Sequence, residues 1–487
     1  MVLALLLVPA LAGLAAFFIR GNAVRRGLLL SAAAAHAILV GFAWHARPES
    51  PLPGWIGLDT LGLLFLTITS VLFLAAALYA VGYLAREQGG KRRDFETGVF
   101  FRNQPEAVFT GCLLLFLATM TFVAASEHQG LLWVAIEATT LASAPLIAFH
   151  RQPRSLEATW KYLMICSVGI ALALLGNFFL AAAATDGEHV PMALSDLVRE
   201  ARNLHVPWLK AAFLFILVGY GTKMGLAPLH TWLPDAHSEA PSVVSALLSG
   251  ALLNSAFLGL LRMQEVLAAA GLAAFGQDLL LGFGLVSMAV AAVFIYGQTD
   301  YKRMLAYSSV EHMGILAVGI GLGGSASFGA LFHAVNHSLA KAMLFLVAGN
   351  VLALYRTKST AQVQGVLRAL PFSGVLWLAG FLAITGSPPF GSFLSEFTIL
   401  AAAVDQGRLG VAVAYLALLA LAFVGMATGA LRMAQGEPSI AGAPGRETLL
   451  AILPPAALGL LVLALGFYLP PALGEALRSA AAAYGTP

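Results

Sequence analysis

Charge is what this sequence lacks most. Only 10% of its 487 residues are Asp, Glu, Lys or Arg, where a soluble domain carries about 25%, so water is not its main solvent. Cysteine is almost absent too. Cys112 and Cys166 stand in separate apolar segments with no CxxC spacing, which excludes a cysteine ligand set for an iron–sulfur cluster or a structural zinc site. They read as buried, inert thiols, and the chain is expected to hold no cofactor and no metal. Alternation of apolar and polar residues is missing as well. Stretches such as Cys112 to Ala125 are apolar on every face, which argues against a β-barrel. No Pro-rich or Ser-rich linker divides the chain, so 1–487 reads as one membrane domain. A net charge of +3 is too small to imply nucleic acid. No base precedes the first apolar run, whereas Arg20, Arg25 and Arg26 follow it. That order is the reverse of a signal peptide's, and the run is read as a first span with its N-terminus outside.

Apolar runs of about twenty residues, each able to cross a hydrocarbon core of about 30 Å, recur from end to end. Hydrophobic residues make up 59% of the chain. The expected fold is all-α and polytopic, with about fourteen transmembrane helices over 2–19, 27–44, 58–84, 107–125, 130–149, 161–185, 210–226, 242–262, 277–297, 304–322, 326–351, 372–402, 411–431 and 448–469. Cytoplasmic loops should be rich in Lys and Arg. Most of the 27 bases fall in odd-numbered loops. This puts both termini outside an inner membrane, with Arg86, Lys91, Arg92, Arg93, Arg151, Arg154, Lys302, Arg303, Arg356 and Arg368 on the cytoplasmic side.

Two spans are interrupted at related places, the seventh by Gly219, Gly221, Gly225 and Pro228, the twelfth by TGSPPFG from Thr385 to Gly391, which holds Pro388 and Pro389. Proline removes a helix hydrogen bond and clashes with the preceding turn, freeing carbonyls at membrane depth. Paired broken helices point to a transport site between two repeats, here 107–262 (spans four to eight) and 277–431 (spans nine to thirteen).

Ionisable residues inside spans each cost roughly 2.5–3.5 kcal/mol and need a reason. Glu137 has no base nearby in its own helix, and Lys223, five residues before Pro228, is similarly alone. An ion pair between them would account for both. His333, His337 and Lys341 recur at i, i+4 and i+8, one face of a helix. Imidazoles and a desolvated lysine are groups that exchange protons near neutral pH. Glu396 follows the twelfth-span break and is placed to end such a relay. The other reading is structural, with ion pairs and hydrogen bonds between helices. His312 and Glu311 are expected near a helix start, in a capping or loop role as readily as in a relay.

The densest polar stretch holds Asp235, His237 and Glu239. They follow Pro234 in a stretch read as non-helical, and a metal triad is set aside. The simpler expectation is a helix entry capped by the acidic cluster, with Pro241 near the first turn and Ser242 assisting. A haem would need facing histidines from two helices and is also set aside.

The segments GTKMGLAPLHTWLPDAHSEAPSVVSALLSGALLNSAFLGLLR, YKRMLAYSSVEHMGILAVG and HAVNHSLAKAMLFLVAGN resemble the antiporter-like subunits of respiratory complex I, Mrp-type sodium/proton antiporters and membrane-bound hydrogenases. The likeness runs over roughly 100–400. GLLWVAIEATTLASAPLIAFHR and RSLEATWKYLMICSVGIALALLG are most similar to the F-type membrane component of hydrogenase-4. The resemblance implies two inverted five-helix repeats, each with half a proton channel, joined by a polar axis. It implies that Glu137 and Lys223 are the fifth- and seventh-span pair whose association gates proton affinity. It also places His333, His337 and Lys341 on the eleventh-span positions, Glu396 on the twelfth and His312, less closely, on the tenth, with His237 a further pathway candidate. One departure is Asn254, where many members carry an eighth-span lysine; asparagine cannot take up a proton but can hold a water that passes one on. The chain also ends soon after the last span, without the long lateral helix of the largest complex I subunit.

The expectation is a proton-translocating subunit without a redox centre of its own. Its partners would be other membrane subunits of a hydrogenase or complex I-like assembly, peripheral nickel–iron and iron–sulfur subunits, and lipid. The rival expectations are an Mrp-like sodium/proton antiporter subunit and a non-conducting membrane anchor; a carbon-dioxide-uptake partner is a further relative.

Overall fold

The computed structural model describes residues 1–87, 90, 92–94, 98–184, 190–439 and 447–485. Lys91, assigned above to a cytoplasmic loop, lies outside the described residues. The chain is a helix bundle: α1 Val2–Phe18, α2 Asn22–His45, α3 Thr60–Arg86, α4 Glu106–Ala125, α5 Gln129–Ile147, α6 Pro153–Ala183, α7 Leu194–Arg199, α8 Val206–Met224, α9 Trp232–Glu239, α10 Ser242–Leu247, α11 Leu253–Ala269, α12 Ala273–Ile295, α13 Tyr301–Leu322, α14 Ser325–Tyr355, α15 Val366–Ala369, α16 Pro371–Ile384, α17 Gly391–Asp405, α18 Leu409–Ala434, α19 Leu449–Phe467 and α20 Pro471–Ala481. Among the described residues the only sheet is the two-residue pair Arg92–Arg93 with Phe100–Phe101. Among the described residues eleven helices are long and apolar enough to cross a membrane, and α1 and α16 are shorter apolar helices. Every one of the expected spans falls on helical residues, with the eighth divided between α10 and α11 and the twelfth between α16 and α17.

Polarity is turned inside out relative to a soluble protein. The apolar stretches of α13 and of α10 through α11 are wholly buried, yet α13 and α14 carry Ser308, Ser309, His312, His333, Asn336, His337 and Lys341 in that interior. The periphery is apolar, as with Trp160, Met164 and Val168 on α6 and Val413, Leu416 and Val424 on α18. In hydrocarbon this is the favourable order, because apolar faces cost nothing against lipid and polar groups must find partners inside.

Small residues let helices approach closely where polar side chains are to be held. A Cβ on Gly219 of α8 would stand 2.5 Å from the Gly169 carbonyl of α6, and one on Gly284 of α12 would stand 2.7 Å from the Gly314 carbonyl of α13. Backbone contact of this kind is how helices associate where no hydrophobic effect drives them together. Buried Arg262, in the middle of α11, donates through both Nη atoms to Asp59 at 2.6 and 2.5 Å. Asp59 also caps α3 by accepting from the Gly62 amide at 2.9 Å, so one carboxylate ties two helices together.

Three irregularities lie along the interior. The first ends α8: Gly225 adopts φ 86°, and its amide and that of Leu226 both donate to the Gly221 carbonyl at 2.9 and 2.8 Å, a left-handed stop that suits glycine. The second separates α16 from α17 at Thr385–Phe390, where Gly386 has φ 62°. The third is a π-helical turn, Leu248–Leu252, between α10 and α11, which sequence periodicity does not reveal.

The stretch after Pro234 is a correction. Residues 232–239 form α9 rather than a non-helical loop, because Pro234 occupies the first turn, where no intrahelical amide donor is needed. Its acids do not cap the next helix, whose N-cap is Pro241 with no side-chain cap, and the Ser242 hydroxyl has no hydrogen-bond partner among the described residues. His312 and Glu311 are a second correction: both lie in the middle of α13 and are buried, not at a helix start. A short helix, α20, also follows the last expected span.

Candidate functional site

Lys223 is the penultimate residue of α8, fully buried just before the Gly225 stop. Its Nζ donates to Thr140 Oγ1 of α5 at 2.6 Å and to the Tyr162 hydroxyl of α6 at 2.7 Å. Thr140 Oγ1 in turn donates to Glu137 Oε2 at 3.3 Å. Glu137 and Lys223 are therefore joined through one hydroxyl, not by the direct ion pair the sequence suggested. Thr140 stands three residues after Glu137, one turn along α5, so both groups point to the same side. The Tyr162 hydroxyl continues the chain to Ser143 Oγ at 2.7 Å. Sequence reasoning missed Thr140, Ser143 and Tyr162; hydroxyl residues are common in apolar helices, and only the packing of α5, α6 and α8 selects these.

A second group forms where α13, α14 and α17 meet. His312 Nδ1 and His333 Nε2 are 2.8 Å apart and share one hydrogen, and the other nitrogen of His333 lies 3.0 Å from Ser395 Oγ. The His337 ring packs 4.8 Å from that of His312. Glu396, on α17 beside Ser395, is buried, and its Oε1 has no hydrogen-bond partner among the described residues. One donor atom from each of His312, His333 and Glu396 lies within 4.8 Å of the others. The break between α16 and α17 positions the carboxylate, because Glu396 rests against Gly386, where any side chain would collide with it. His312, which the sequence placed less closely than the other candidates, is thus in direct contact with His333.

Lys341, fully buried, donates from Nζ to the Leu305 carbonyl of α13 at 2.7 Å. Ser309 Oγ donates to the same carbonyl at 3.1 Å and meets Ser249 Oγ of the π turn at 2.8 Å. Asn254, two residues beyond that turn, donates from Nδ2 to Ser338 Oγ of α14 at 2.7 Å and to the Gly250 carbonyl at 2.9 Å. Its Oδ1 has no hydrogen-bond partner among the described residues.

Between the Lys223 and Lys341 groups lies His237 of α9. Its ring stacks 5.3 Å from Phe345 of α14 and 6.5 Å from Trp232, whose own ring is 5.0 Å from Tyr162. Both nitrogens of His237 and both of His337 are buried without a hydrogen-bond partner among the described residues. No side-chain hydrogen bond among those residues joins the two groups directly.

Asp235 and Glu239 turn away from His237 to the surface. Asp235 pairs with Lys161 at 2.9 Å and Arg303 at 3.1 Å, and Glu239 with Lys358 at 2.6 Å, in a polar cleft of about 480 Å³. The three therefore form no metal triad. Lys302, buried at the start of α13, donates to the carbonyls of Ser238 at 3.0 Å and Ala240 at 2.5 Å, satisfying the end of α9. Pro228 lies in the turn that follows α8 and Pro388 and Pro389 in the turn before α17, as their roles as helix breakers require.

Residues 126–422 match the family described as NADH:quinone oxidoreductase/Mrp antiporter, TM. The hydrogenase-4 component F homolog of Methylacidiphilum infernorum is 37% identical, over 90% of this chain and 90% of that one. Hydrogenase-4 component B of Escherichia coli is 30% identical over 70% of this chain and 49% of its own length. The fold is shared with a chain of the Mrp complex from Dietzia sp. DQ12-45-1b (TM-score 0.83, 20% identity, 98% of this chain and 96% of that chain). It is shared also with a chain of an archaeal membrane-bound sulfane sulfur reductase (TM-score 0.86, 19% identity, 100% of this chain and 98% of that chain). Together with the polytopic helical fold, these matches establish that the chain belongs to the NADH:quinone oxidoreductase/Mrp antiporter family of transmembrane subunits.

Proposed function

We propose that this subunit moves protons along the file from Glu137, which is half-buried, and Lys223 through His237 and Asn254 to Lys341, His337, His333, His312 and Glu396. The observation that carries the reading is that Lys223, His237, Glu311, His312, His333, His337, Lys341 and Glu396 are all buried inside a bundle whose outside is apolar. Burying such groups in a membrane is costly, and they persist there where they serve a pathway. The orphaned nitrogens of His237 and His337 and Oδ1 of Asn254 offer binding positions for water and for a moving proton, since buried polar atoms otherwise find partners.

The Lys223 ammonium is stabilised by Glu137 through Thr140, and an opposite charge nearby favours the charged form. Drawing Glu137 away releases the proton toward His237. The two broken helices, α8–α9 and α16–α17, then belong to two inverted repeats, 107–262 and 277–431, each holding one group. Both termini lie on the outer side of an inner membrane. Similarity to hydrogenase-4 components supports a partner complex carrying nickel–iron and iron–sulfur subunits, whose redox chemistry drives the movement.

Lys223→Ala and Glu137→Ala should each abolish proton translocation in sealed vesicles while the complex still assembles. Unchanged pumping in either variant contradicts the reading. Asn254 and the missing direct hydrogen bond between the two groups favour a second reading, a non-conducting anchor, in which Lys223→Ala lowers complex yield and leaves activity intact. Sodium dependence of transport in proteoliposomes would instead mark an Mrp-like antiporter.

A further inference from the structure

His312, His333 and Glu396 come from three helices, and all three are buried. Two imidazoles and a carboxylate are a donor set that suits borderline divalent ions such as zinc, whereas sodium or magnesium favours oxygen alone. Three features make this cluster more than a chance meeting. The three donor atoms already lie within 4.8 Å of one another. Ser395 Oγ holds the second nitrogen of His333 at 3.0 Å, an outer contact of the type that orients metal-ligating histidines. Among the described residues Glu396 Oε1 is buried without a hydrogen-bond partner, although a carboxylate oxygen so placed ordinarily has one.

We infer that His312, His333 and Glu396 form a binding site for a single Zn²⁺ ion. Zinc ligands at about 2.0–2.1 Å from a tetrahedral ion lie roughly 3.3 Å apart. The two imidazole nitrogens, 2.8 Å apart, must therefore open by about 0.5 Å, and the carboxylate must close by no more than about 1.5 Å. Rotations of the three side chains achieve both. The ion takes a lone pair from each ring, and the hydrogen the rings share moves to the second nitrogen of the ring that carried it, as His312 Nε2, which is without a hydrogen-bond partner among the described residues, allows. The inference rests on the geometry of the cluster and does not require that the file conducts.

The test is titration of Zn²⁺ into the full chain, in the detergent-solubilised assembly in which it is isolated, comparing wild type with His333→Gln and Glu396→Gln. Wild type should bind one more ion per chain than either variant, and X-ray absorption at the zinc edge should report two imidazoles at about 2.0 Å. His237→Gln, which alters a buried histidine outside the cluster, should keep that ion. Ser395→Ala, which retains all three ligands, should weaken binding tenfold or more. Equal stoichiometry in wild type and both ligand variants, or a zinc spectrum without paired imidazoles, overturns the site. Should the ligand variants fail to assemble, the wild-type spectrum and Ser395→Ala decide the matter. Because binding is read without transport, failure here leaves the proton reading standing, and a transport-inactive protein that still binds zinc leaves this site standing.

Discussion

Lys223 and Glu137 communicate through a single hydroxyl: the lysine donates to Thr140 Oγ1 at 2.6 Å, and Thr140 donates to Glu137 at 3.3 Å. An ion pair in direct contact would hold its proton tightly and part only at a large energetic cost. A bridged pair changes strength with a small rotation of one threonine, and the lysine keeps Tyr162 as a second partner at 2.7 Å. The bridge thus supplies an adjustable link where α5, α6 and α8 meet.

Thr140→Val removes that hydroxyl at nearly constant volume. A hydrogen bond to a charged group contributes about 1.5–3 kcal/mol, so proton translocation should fall roughly ten- to a hundredfold with assembly maintained. Thr140→Ser should restore most of the rate. Vesicle acidification assays on the two variants check this, and equal rates in valine and serine variants would remove the hydroxyl from the mechanism.

Gly386→Ala places a Cβ where the Glu396 carboxylate rests, at a residue whose φ is 62°. Glu396 must then leave the histidine cluster. Transport should drop at least as far as in Glu396→Gln, while the amount of assembled protein changes less than transport does. Quantifying both in the same membranes decides the point, and wild-type transport in the alanine variant would show that Glu396 need not sit at the break.

How much of this was legible in the sequence follows from what isolates a residue. Glu137, Lys223, Lys341 and Glu396 stand out because a charge in an apolar run is costly wherever the helix lies. Thr140, Tyr162 and Ser395 do not, since a hydroxyl can satisfy itself on its own helix, as Thr139, Ser143 and Thr159 do here. Pro234 misled because proline breaks helices in general but not in their first turn. His312 was undervalued because its position within α13 depended on a helix start that periodicity in an almost uniformly apolar run cannot locate. The π turn before Asn254 leaves no trace in composition at all.

Asn254 stands between the two halves and holds Ser338 at 2.7 Å. Asn254→Leu fills that space with apolar surface and removes both hydrogen bonds made by Nδ2. If asparagine passes protons through an attendant water, transport falls at least tenfold with little change in yield. Equal, parallel losses of yield and transport would favour the anchor reading, and assay of both in one preparation separates the outcomes.

Asp59→Asn should lower stability rather than touch transport. It leaves the buried Arg262 guanidinium without its carboxylate and weakens the cap on α3. The expected result is a lower unfolding temperature in detergent and a severalfold smaller yield, with the transport rate per assembled molecule unchanged. A selective loss of transport at full yield would argue that Asp59 belongs to the pathway.

The most direct test of a conducting interior is proton movement in sealed vesicles by a Lys341→Ala variant assembled to the wild-type level. Lys341 sits at the junction of α13 and α14 beside the histidine cluster, held by the Leu305 carbonyl at 2.7 Å, and no other amine on α14 can replace it. Loss of proton movement with normal assembly is the outcome expected. Wild-type proton movement without that lysine would contradict the claim that protons travel along this file.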